Sequence, residues 1–240
     1  MTKIDFKIQI YLDGASIEAI KKYKSSKHIK GFTTNPSLMR KEKIRNYKDF
    51  ALKVLKIEKK KPISFEVFAD DINEMKLQAI EIASWGKNVF VKIPITNTKG
   101  ESTAKLINEL NKMKIKCNVT AIFTLNQINE VIKINRTNTL NILSVFAGRI
   151  ADTGRDPNKI ILKMISILKK RKNFKLLWAS TREIFNVVEA NRIGCHIITV
   201  PHELLSKIKL FNKNLNQYSR ETVKTFYEDA RKSKYKINYK

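Results

Sequence analysis

The chain has 240 residues, which is long enough for one large α/β barrel or for two small domains. Its 42% hydrophobic and 29% charged residues, with only 7 glycines and 5 prolines, exclude collagen-like and proline-rich disordered chains. The formal net charge of +26 would favour a nucleic-acid partner if it were concentrated on one face. The lysines are instead spread over almost every predicted helix, so we expect a lysine-rich surface that attracts phosphorylated substrates and binds no nucleic acid.

Short apolar runs alternate with segments of helical periodicity along the chain. The runs predict strands over residues 8–12, 29–33, 63–67, 89–93, 115–119, 142–146, 176–179 and 196–200. The periodic segments predict helices over residues 17–23, 49–57, 73–85, 102–113, 125–134, 158–170, 181–191 and 202–208. Strict alternation favours parallel strands with right-handed crossovers, so the eight units predict an α/β fold, a single (β/α)8 TIM barrel. The alternative, an open doubly wound sheet, usually carries a Gly-rich phosphate turn, which this sequence lacks.

A further amphipathic segment follows the eighth unit at residues 220–233 and predicts an extra C-terminal helix. We therefore expect one barrel domain over residues 1–240, with residues 213–233 as a helical extension. The apolar face of this helix needs cover, either on its own barrel or on a neighbouring subunit. The basic segment 40–48 is predicted to be an exposed loop or the start of a helix.

The cysteines and histidines give no sign of a disulfide or a metal site. Cys117 and Cys195 fall in or directly beside predicted buried strands and form no C-x-x-C pair, so we expect reduced core cysteines in a cytoplasmic protein. His28, His196 and His202 lack ligand spacing, so no metal is expected. No secretion signal and no apolar span near about 20 residues can be identified, so no membrane helix is predicted.

Lys92 is the most unusual residue of the sequence, because it interrupts the apolar run 88–94 of the fourth predicted strand. A buried ammonium is costly unless it is paired or used. If desolvation suppresses its charge, the ε-amine becomes a nucleophile for a carbonyl carbon, and a Schiff base is the chemistry to which it is suited. The alternative is a structural lysine that extends its amine to the surface from a strand end.

Polar residues also stand at the carboxyl ends of the other predicted strands, where barrel enzymes build their active sites. In chain order with Lys92 they are Asp13, Asn35, Glu66, Lys92, Asn118, Thr120, Ser144, Arg149, Ser180 and Arg182. Four members of this set are each 26 residues from the next: Glu66, Lys92, Asn118 and Ser144. Two carboxylates, one amine, several amides and hydroxyls and two guanidinium groups would suit a small polyhydroxylated substrate that bears a phosphate.

The same segments resemble a known family. The matching motifs are YLDGA at 11–15, GFTTNPSL at 31–38, SFEV at 64–67, VKIP at 91–94, NVTAIF at 118–123, SVFAGRI at 144–150 and ASTR at 179–182. Together they resemble the transaldolases, specifically the short form that groups with fructose-6-phosphate aldolase, over about residues 8–232. The resemblance implies a TIM-barrel enzyme that needs no cofactor and forms a ring-based homo-oligomer, such as a decamer, with the last helix exchanged onto a neighbour.

The resemblance implies four catalytic roles. Lys92 would form the Schiff base with C2 of a ketose phosphate, and Asp13 would move the proton of the C4 hydroxyl. Glu66 and Thr120 would hold a water that shuttles protons. As alternatives, Asp13 could be the N-cap of a helix, and Glu66 and Thr120 could be a buried pair that satisfies itself.

The resemblance also implies two groups of binding residues. The hydroxyls of a dihydroxyacetone unit would be bound by Asn35, Asn118 and Ser144. The phosphate would be bound by Arg149, Ser180 and Arg182. Alternatively, Asn35 could be a turn residue before a proline, and the arginines could form exposed salt bridges.

Two positions bear on the reaction. The aldolase members resemble one another in having Gln at the position of Glu66 and Tyr at that of Phe146, and this chain has the transaldolase-like residue at both. This favours a transaldolase that carries a dihydroxyacetone unit from a ketose phosphate, such as sedoheptulose 7-phosphate or fructose 6-phosphate, to an aldose phosphate, as in the pentose phosphate pathway. The alternatives are a fructose-6-phosphate aldolase or related class I aldolase without a sugar-phosphate acceptor, and a basic nucleic-acid-binding barrel. Val145, Ala147 and His196 depart from the family pattern.

Overall fold

The computed structural model describes residues 6–239 of the chain. The described residues fall into two compact units, one of residues 6–205 and one of residues 206–239. The first unit contains all eight predicted strands, whereas the predicted helix 202–208 is divided between the two units.

Eight parallel strands close the first unit into a barrel, in which each strand pairs with the next and the last pairs with the first. They are β1 (Gln9–Asp13), β2 (Ile29–Thr33), β3 (Ile63–Glu66), β4 (Val89–Pro94), β5 (Cys117–Ile122), β6 (Asn141–Val145), β7 (Phe174–Trp178) and β8 (Ile197–Pro201). The predicted TIM-barrel fold is therefore confirmed. Every predicted strand is present, and its ends differ from the prediction by no more than three residues.

Helices follow the strands. They are α1 (Ile17–Tyr23), α2 (Pro36–Lys41), α3 (Tyr47–Ile57), α4 (Ile72–Ser84), α5 (Ala104–Lys112), α6 (Leu125–Ile134), α7 (Ala147–Ala151), α8 (Pro157–Leu168), α9 (Phe185–Arg192) and α10 (His202–Leu205). The short helices α2 and α7 were not predicted, because six and five residues are too few to show a helical period. Helix α9 begins at Phe185 instead of residue 181, because the chain first makes a turn in which Ser180 has φ 60°.

The second unit consists of a 3-10 helix, Ser206–Leu210, followed by α11 (Leu215–Lys232). This helix starts five residues before the predicted position, at the N-cap Asn214, whose side chain accepts from the Gln217 amide. Val223, Phe226 and Tyr227 share one stripe of α11 because they are three and four residues apart. Cover of that stripe by a neighbouring subunit stays a prediction.

An apolar cluster inside the barrel borders the site described below. Its buried members are Tyr11, Phe90, Ile142, Leu177, Ala179 and Ile197. The strand β2 passes close to this cluster at Gly31, where a Cβ would lie 2.6 Å from the Tyr11 ring. Glycine is therefore needed at this point of β2 so that the tyrosine ring can fill the barrel.

A buried network of three asparagines ties α5 to β6. The Asn111 Oδ1 atom accepts from the side-chain amides of Asn135 and Asn141, the latter at 2.8 Å. The Asn111 Nδ2 atom donates to the Ile115 carbonyl at 2.9 Å. Because buried amides are costly without partners, this network fixes one packing arrangement between the helix layer and the barrel.

Three sequence features lie away from the site. Cys117 and Cys195 are buried and free, as predicted. His196 precedes β8 at the amino end of the barrel, where its Nδ1 atom accepts from the Leu176 amide at 3.1 Å. Burial lowers the pKa of His196, and the charge of Lys175 acts in the same direction. Within residues 6–239 no helix has both the length and the apolar character that crossing a membrane requires.

Candidate active site

The carboxyl ends of the strands surround one cavity of about 500 Å³. All ten residues singled out in the sequence line it, although they come from seven strand–helix units: Asp13, Asn35, Glu66, Lys92, Asn118, Thr120, Ser144, Arg149, Ser180 and Arg182. The barrel fold therefore brings the whole set together. Phe146 also lines the cavity, together with Thr33 and Thr199, which the sequence analysis did not identify as site residues.

The spacing of 26 residues has a direct structural meaning. Glu66 on β3 lies opposite Lys92 on β4, and Lys92 lies opposite Asn118 on β5. Ser144 on β6 is not in the same row, because Asn118 pairs with Ile142. Its hydroxyl nevertheless reaches Asn118, to which it donates at 2.6 Å, and the Asn118 amide donates to the Ser64 hydroxyl at 2.9 Å. Glu66, Lys92, Asn118 and Ser144 thus form one polar wall of the cavity.

Lys92 is buried, with only 8% of its side chain exposed. Its Nζ atom lies 3.1 Å from Glu66 Oε2 and donates to the Thr34 carbonyl at 3.1 Å. The contact with Glu66 is close enough for an ion pair, although its angles are not those of a hydrogen bond. The alternative of a lysine that extends its amine to the surface is therefore wrong. The amine is held inside the cavity wall beside a carboxylate that can exchange a proton with it.

The Thr120 hydroxyl is also buried, and it has no hydrogen-bond partner among the residues that the structure describes. Glu66 and Thr120 therefore do not satisfy each other, and the alternative of a closed polar pair is wrong. Buried polar atoms usually have partners. Glu66 and Thr120 both line the cavity, so their side-chain oxygens are placed to bind water or a substrate hydroxyl.

Asp13 is held at the end of β1 by a threonine. The Thr33 hydroxyl donates to Asp13 Oδ1 at 2.7 Å and also contacts the Thr199 hydroxyl. Burial raises the pKa of Asp13, while the charge of Lys92 and the hydrogen bond from Thr33 oppose that effect. Asp13 does not cap α1, because the N-cap is Ser16, which accepts from the Ala19 amide at 3.3 Å. The carboxyl is thus left facing the cavity.

Asn35 has a structural contact as well as a place in the cavity wall. It is the N-cap of α2, and its Oδ1 atom accepts from the Leu38 amide at 3.0 Å. Pro36 follows at the first helical position, where its missing N–H costs nothing. Asn35 thus has a local structural role, as the N-cap of a helix instead of the turn residue of the alternative, and this contact fixes it in the wall of the cavity.

The two arginines approach the cavity from neighbouring segments. Arg149 lies on α7, with its guanidinium carbon 5.4 Å from the centre of the Phe146 ring. Arg182 follows β7 and forms an exposed ion pair with Asp152. An exposed salt bridge is thus present for Arg182, whereas within residues 6–239 no ion pair involves Arg149. Both arginines line the cavity.

Two further observations concern ligands. Over residues 6–239 no cluster of three or more His, Cys, Asp or Glu side chains is arranged to hold a metal ion. The cavity itself carries an amine, two carboxylates, several neutral donors and acceptors and two guanidinium groups, which is a set of groups suited to a phosphorylated polyol or ketose.

Comparison with known proteins adds relatives to this geometry. The family described as Transaldolase/Fructose-6-phosphate aldolase matches residues 10–238. A "Probable transaldolase" of Thermoanaerobacter sp. (strain X514) is 33% identical over 231 residues, which cover 96% of this chain and 100% of that protein. Another of Nitrosopumilus maritimus (strain SCM1) is 36% identical over 203 residues, 84% of this chain and 87% of that protein.

Solved structures share the fold at much lower identity. The 3-hexulose-6-phosphate synthase from Salmonella typhimurium has a TM-score of 0.55 at 13% identity, over 81% of this chain and 88% of that chain. A Ruminococcus gnavus sialic acid aldolase, a catalytic lysine mutant, has a TM-score of 0.52 at 14% identity, over 83% and 69% of the two chains. At such identities the likeness shows the barrel alone.

Proposed function

We propose, because the chain belongs to the transaldolase/fructose-6-phosphate aldolase family, that it is a transaldolase that moves a dihydroxyacetone unit between sugar phosphates through a Schiff base on Lys92. Membership of the family shows an enzyme of the transaldolase or aldolase type, and transfer between sugar phosphates is the reaction that we propose. One observation carries it: the buried Lys92 amine lies 3.1 Å from Glu66 in the wall of a polar cavity that two arginines also line.

The first half of the reaction makes the imine. The neutral amine of Lys92 attacks C2 of the ketose phosphate to give a carbinolamine. The Glu66 carboxyl, which holds the proton taken from the ammonium, then protonates the carbinolamine hydroxyl, which leaves as water to give the protonated imine. Glu66 is the carboxylate nearest the amine, so it can accept the proton that the ammonium must lose. The Thr120 hydroxyl, which has no hydrogen-bond partner among the described residues, lines the same cavity and holds the departing water.

The second half breaks and remakes a carbon–carbon bond. Asp13 takes the proton of the C4 hydroxyl, the C3–C4 bond breaks, and its electrons move into the imine to leave an enamine on Lys92. The aldose phosphate leaves. The enamine C3 then attacks the aldehyde carbon of the acceptor, Asp13 returns its proton to the new hydroxyl, and water hydrolyses the imine. Asn118 and Ser144, whose side chains are hydrogen-bonded to each other, bind the hydroxyls of the retained unit.

Two side chains support transfer over release. Glu66 presents a carboxylate to the amine, which a glutamine at this position would not do. Phe146 presents an apolar ring to the cavity, packed 5.8 Å from the Phe123 ring, where a tyrosine would add a hydroxyl. Without a tyrosine hydroxyl to donate a proton, the enamine on Lys92 is not protonated and released but is left to react with a bound aldehyde.

Acceptor dependence tests the proposal. The purified protein is given fructose 6-phosphate, and release of glyceraldehyde 3-phosphate is followed with and without erythrose 4-phosphate, with Lys92→Met as the inactive control. We expect fast sustained release only when the acceptor is present. Equal rates in both reactions would show an aldolase, and no release in either would refute both activities for this donor.

A further inference from the structure

We infer that Asp152 is a positioning residue of the active site: its carboxylate holds the Arg182 guanidinium at the rim of the cavity in the orientation that binds a substrate phosphate. The inference rests on the proposed function, because it assigns Arg182 to phosphate. Neither the sequence pattern nor the family resemblance singled out Asp152.

The two arginines of the cavity are supported in different ways. Arg149 is part of α7 and stacks against the Phe146 ring. Arg182 lies in the loop after β7, and 54% of its side chain is exposed. A long exposed side chain samples many rotamers, and fixing it in one of them costs conformational entropy. Arg182 therefore needs a partner if it is to point into the cavity before the substrate arrives.

Asp152 supplies that partner. It is the C-cap of α7, three residues after Arg149, and its Oδ2 atom forms an ion pair with Arg182 Nη2. Across the described residues this is the one acidic side chain paired with Arg182. The main chain of Arg182 is anchored separately, because its amide donates to Asn186 Oδ1 at 3.0 Å. Backbone and guanidinium are thus both held.

The backbone around the pair is too closely packed for the two segments to move apart freely. A Cβ placed on Gly148 of α7 would lie 1.7 Å from the Ser180 carbonyl oxygen and 3.0 Å from Arg182 Cγ. The Gly148 amide also points at the Ala179 carbonyl, 3.5 Å away. The start of α7 and the turn after β7 are therefore packed directly against each other. The ion pair between Asp152 and Arg182 links the far ends of the same two segments.

The chemistry leaves room for both anions. A guanidinium carries five N–H donors in one plane, and the contact with Asp152 uses the Nη2 nitrogen. The other nitrogens stay available for a phosphate, and Arg149 lines the same cavity. Charge and orientation predict opposite effects, however. As a nearby anion, Asp152 repels the phosphate, whereas as an anchor it lowers the cost of ordering Arg182. We infer that the anchoring effect is larger.

Phosphate binding separates the two effects without requiring turnover. Inorganic phosphate is titrated calorimetrically into the wild-type protein, Asp152→Asn, Asp152→Glu and a control, Glu109→Gln. The control removes one negative charge from another exposed pair, Lys76–Glu109, which lies away from the cavity lining. We expect the phosphate Kd to rise about tenfold in Asp152→Asn, to recover in part in Asp152→Glu and to stay at the wild-type value in the control.

Kinetics then locates the effect. At a saturating donor concentration, Asp152→Asn should raise the KM for erythrose 4-phosphate with little change in kcat, and it should leave kcat/KM for unphosphorylated erythrose unchanged. An unchanged or lower phosphate Kd in Asp152→Asn would overturn the inference, as would equal losses with both acceptors. If the wild-type protein binds phosphate but transfers nothing, the proposed function fails while the calorimetric test of Asp152 still stands.

Discussion

Gly148→Ala is a substitution for which helix propensity predicts a gain in stability and tertiary packing predicts a loss. Gly148 lies in α7, and alanine is usually favoured over glycine within a helix by about 1 kcal/mol. The added Cβ would, however, lie 1.7 Å from the Ser180 carbonyl oxygen and 2.9 Å from its carbon. Both are backbone atoms, so no side-chain rotation can relieve the overlap.

The size of the expected effect follows from that overlap. The turn after β7 must retreat by more than about 1 Å to restore a normal contact, and overpacking of this kind costs about 1–3 kcal/mol. For a chain of this size such a loss lowers Tm by about 2–12 °C. The same shift displaces Ser180 and Arg182 from the cavity rim, and misplacement by about 1 Å can reduce activity about a hundredfold.

The assay pairs thermal unfolding followed by circular dichroism with kcat/KM for a sugar phosphate. Gly86→Ala is the matched control, because its nearest neighbour is the flexible Leu55 side chain at 3.2 Å. We expect a lower Tm and a large loss of kcat/KM for Gly148→Ala, and near wild-type values for the control. A Gly148→Ala protein with unchanged or raised Tm and normal kcat/KM would refute the reasoning.

Three further predictions concern pH and buried polar groups. The ionised form of Asp13 is the base, and burial raises its pKa, so activity should fall as pH drops through a value above the ordinary aspartate pKa of about 3.9. Thr33→Val removes a hydrogen bond that lowers the pKa of Asp13 and should therefore move this acid limb of the pH profile to higher pH. An acid limb at or below about pH 3.9 would contradict the role of Asp13 as the base. Burial lowers the pKa of His196, so the unfolded chain binds its proton more readily and the free energy of unfolding should decrease as pH falls below about 6.5; urea unfolding should show this slope reduced in His196→Asn. Asn111→Leu removes the acceptor of the buried Asn135 amide and one of the two acceptors of the Asn141 amide, so it should lower the free energy of unfolding by about 2–4 kcal/mol, and an unchanged urea midpoint would argue against the network.

The barrel could be predicted from the sequence because its strands are short apolar runs with polar ends. The strictly alternating pattern selects parallel strands, and closure places every carboxyl end at one mouth. Glu66, Lys92 and Asn118 could be expected to meet because equal spacing in equal repeats gives equal height in neighbouring strands, and their register has that form. Ser144 shows the limit of this argument, since the strand shift at β6 moves it out of the row.

What the sequence did not reveal depends on contacts between distant segments. Thr33 and Thr199 resemble ordinary strand residues, and only barrel closure brings their hydroxyls together beside Asp13. Asp152 and Arg182 are 30 residues apart and belong to segments that no periodic pattern links. The choice between Asp13 and Ser16 as the N-cap of α1 likewise depends on where the helix begins.

Trapping of the imine tests the central claim most directly. The protein is incubated with fructose 6-phosphate, reduced with borohydride, digested and mapped by mass spectrometry, with Lys92→Met treated in parallel. The account predicts one substrate-dependent adduct, on the peptide that contains Lys92, and none in the variant. A folded wild-type protein that shows no adduct, or an adduct that persists in Lys92→Met, would contradict it.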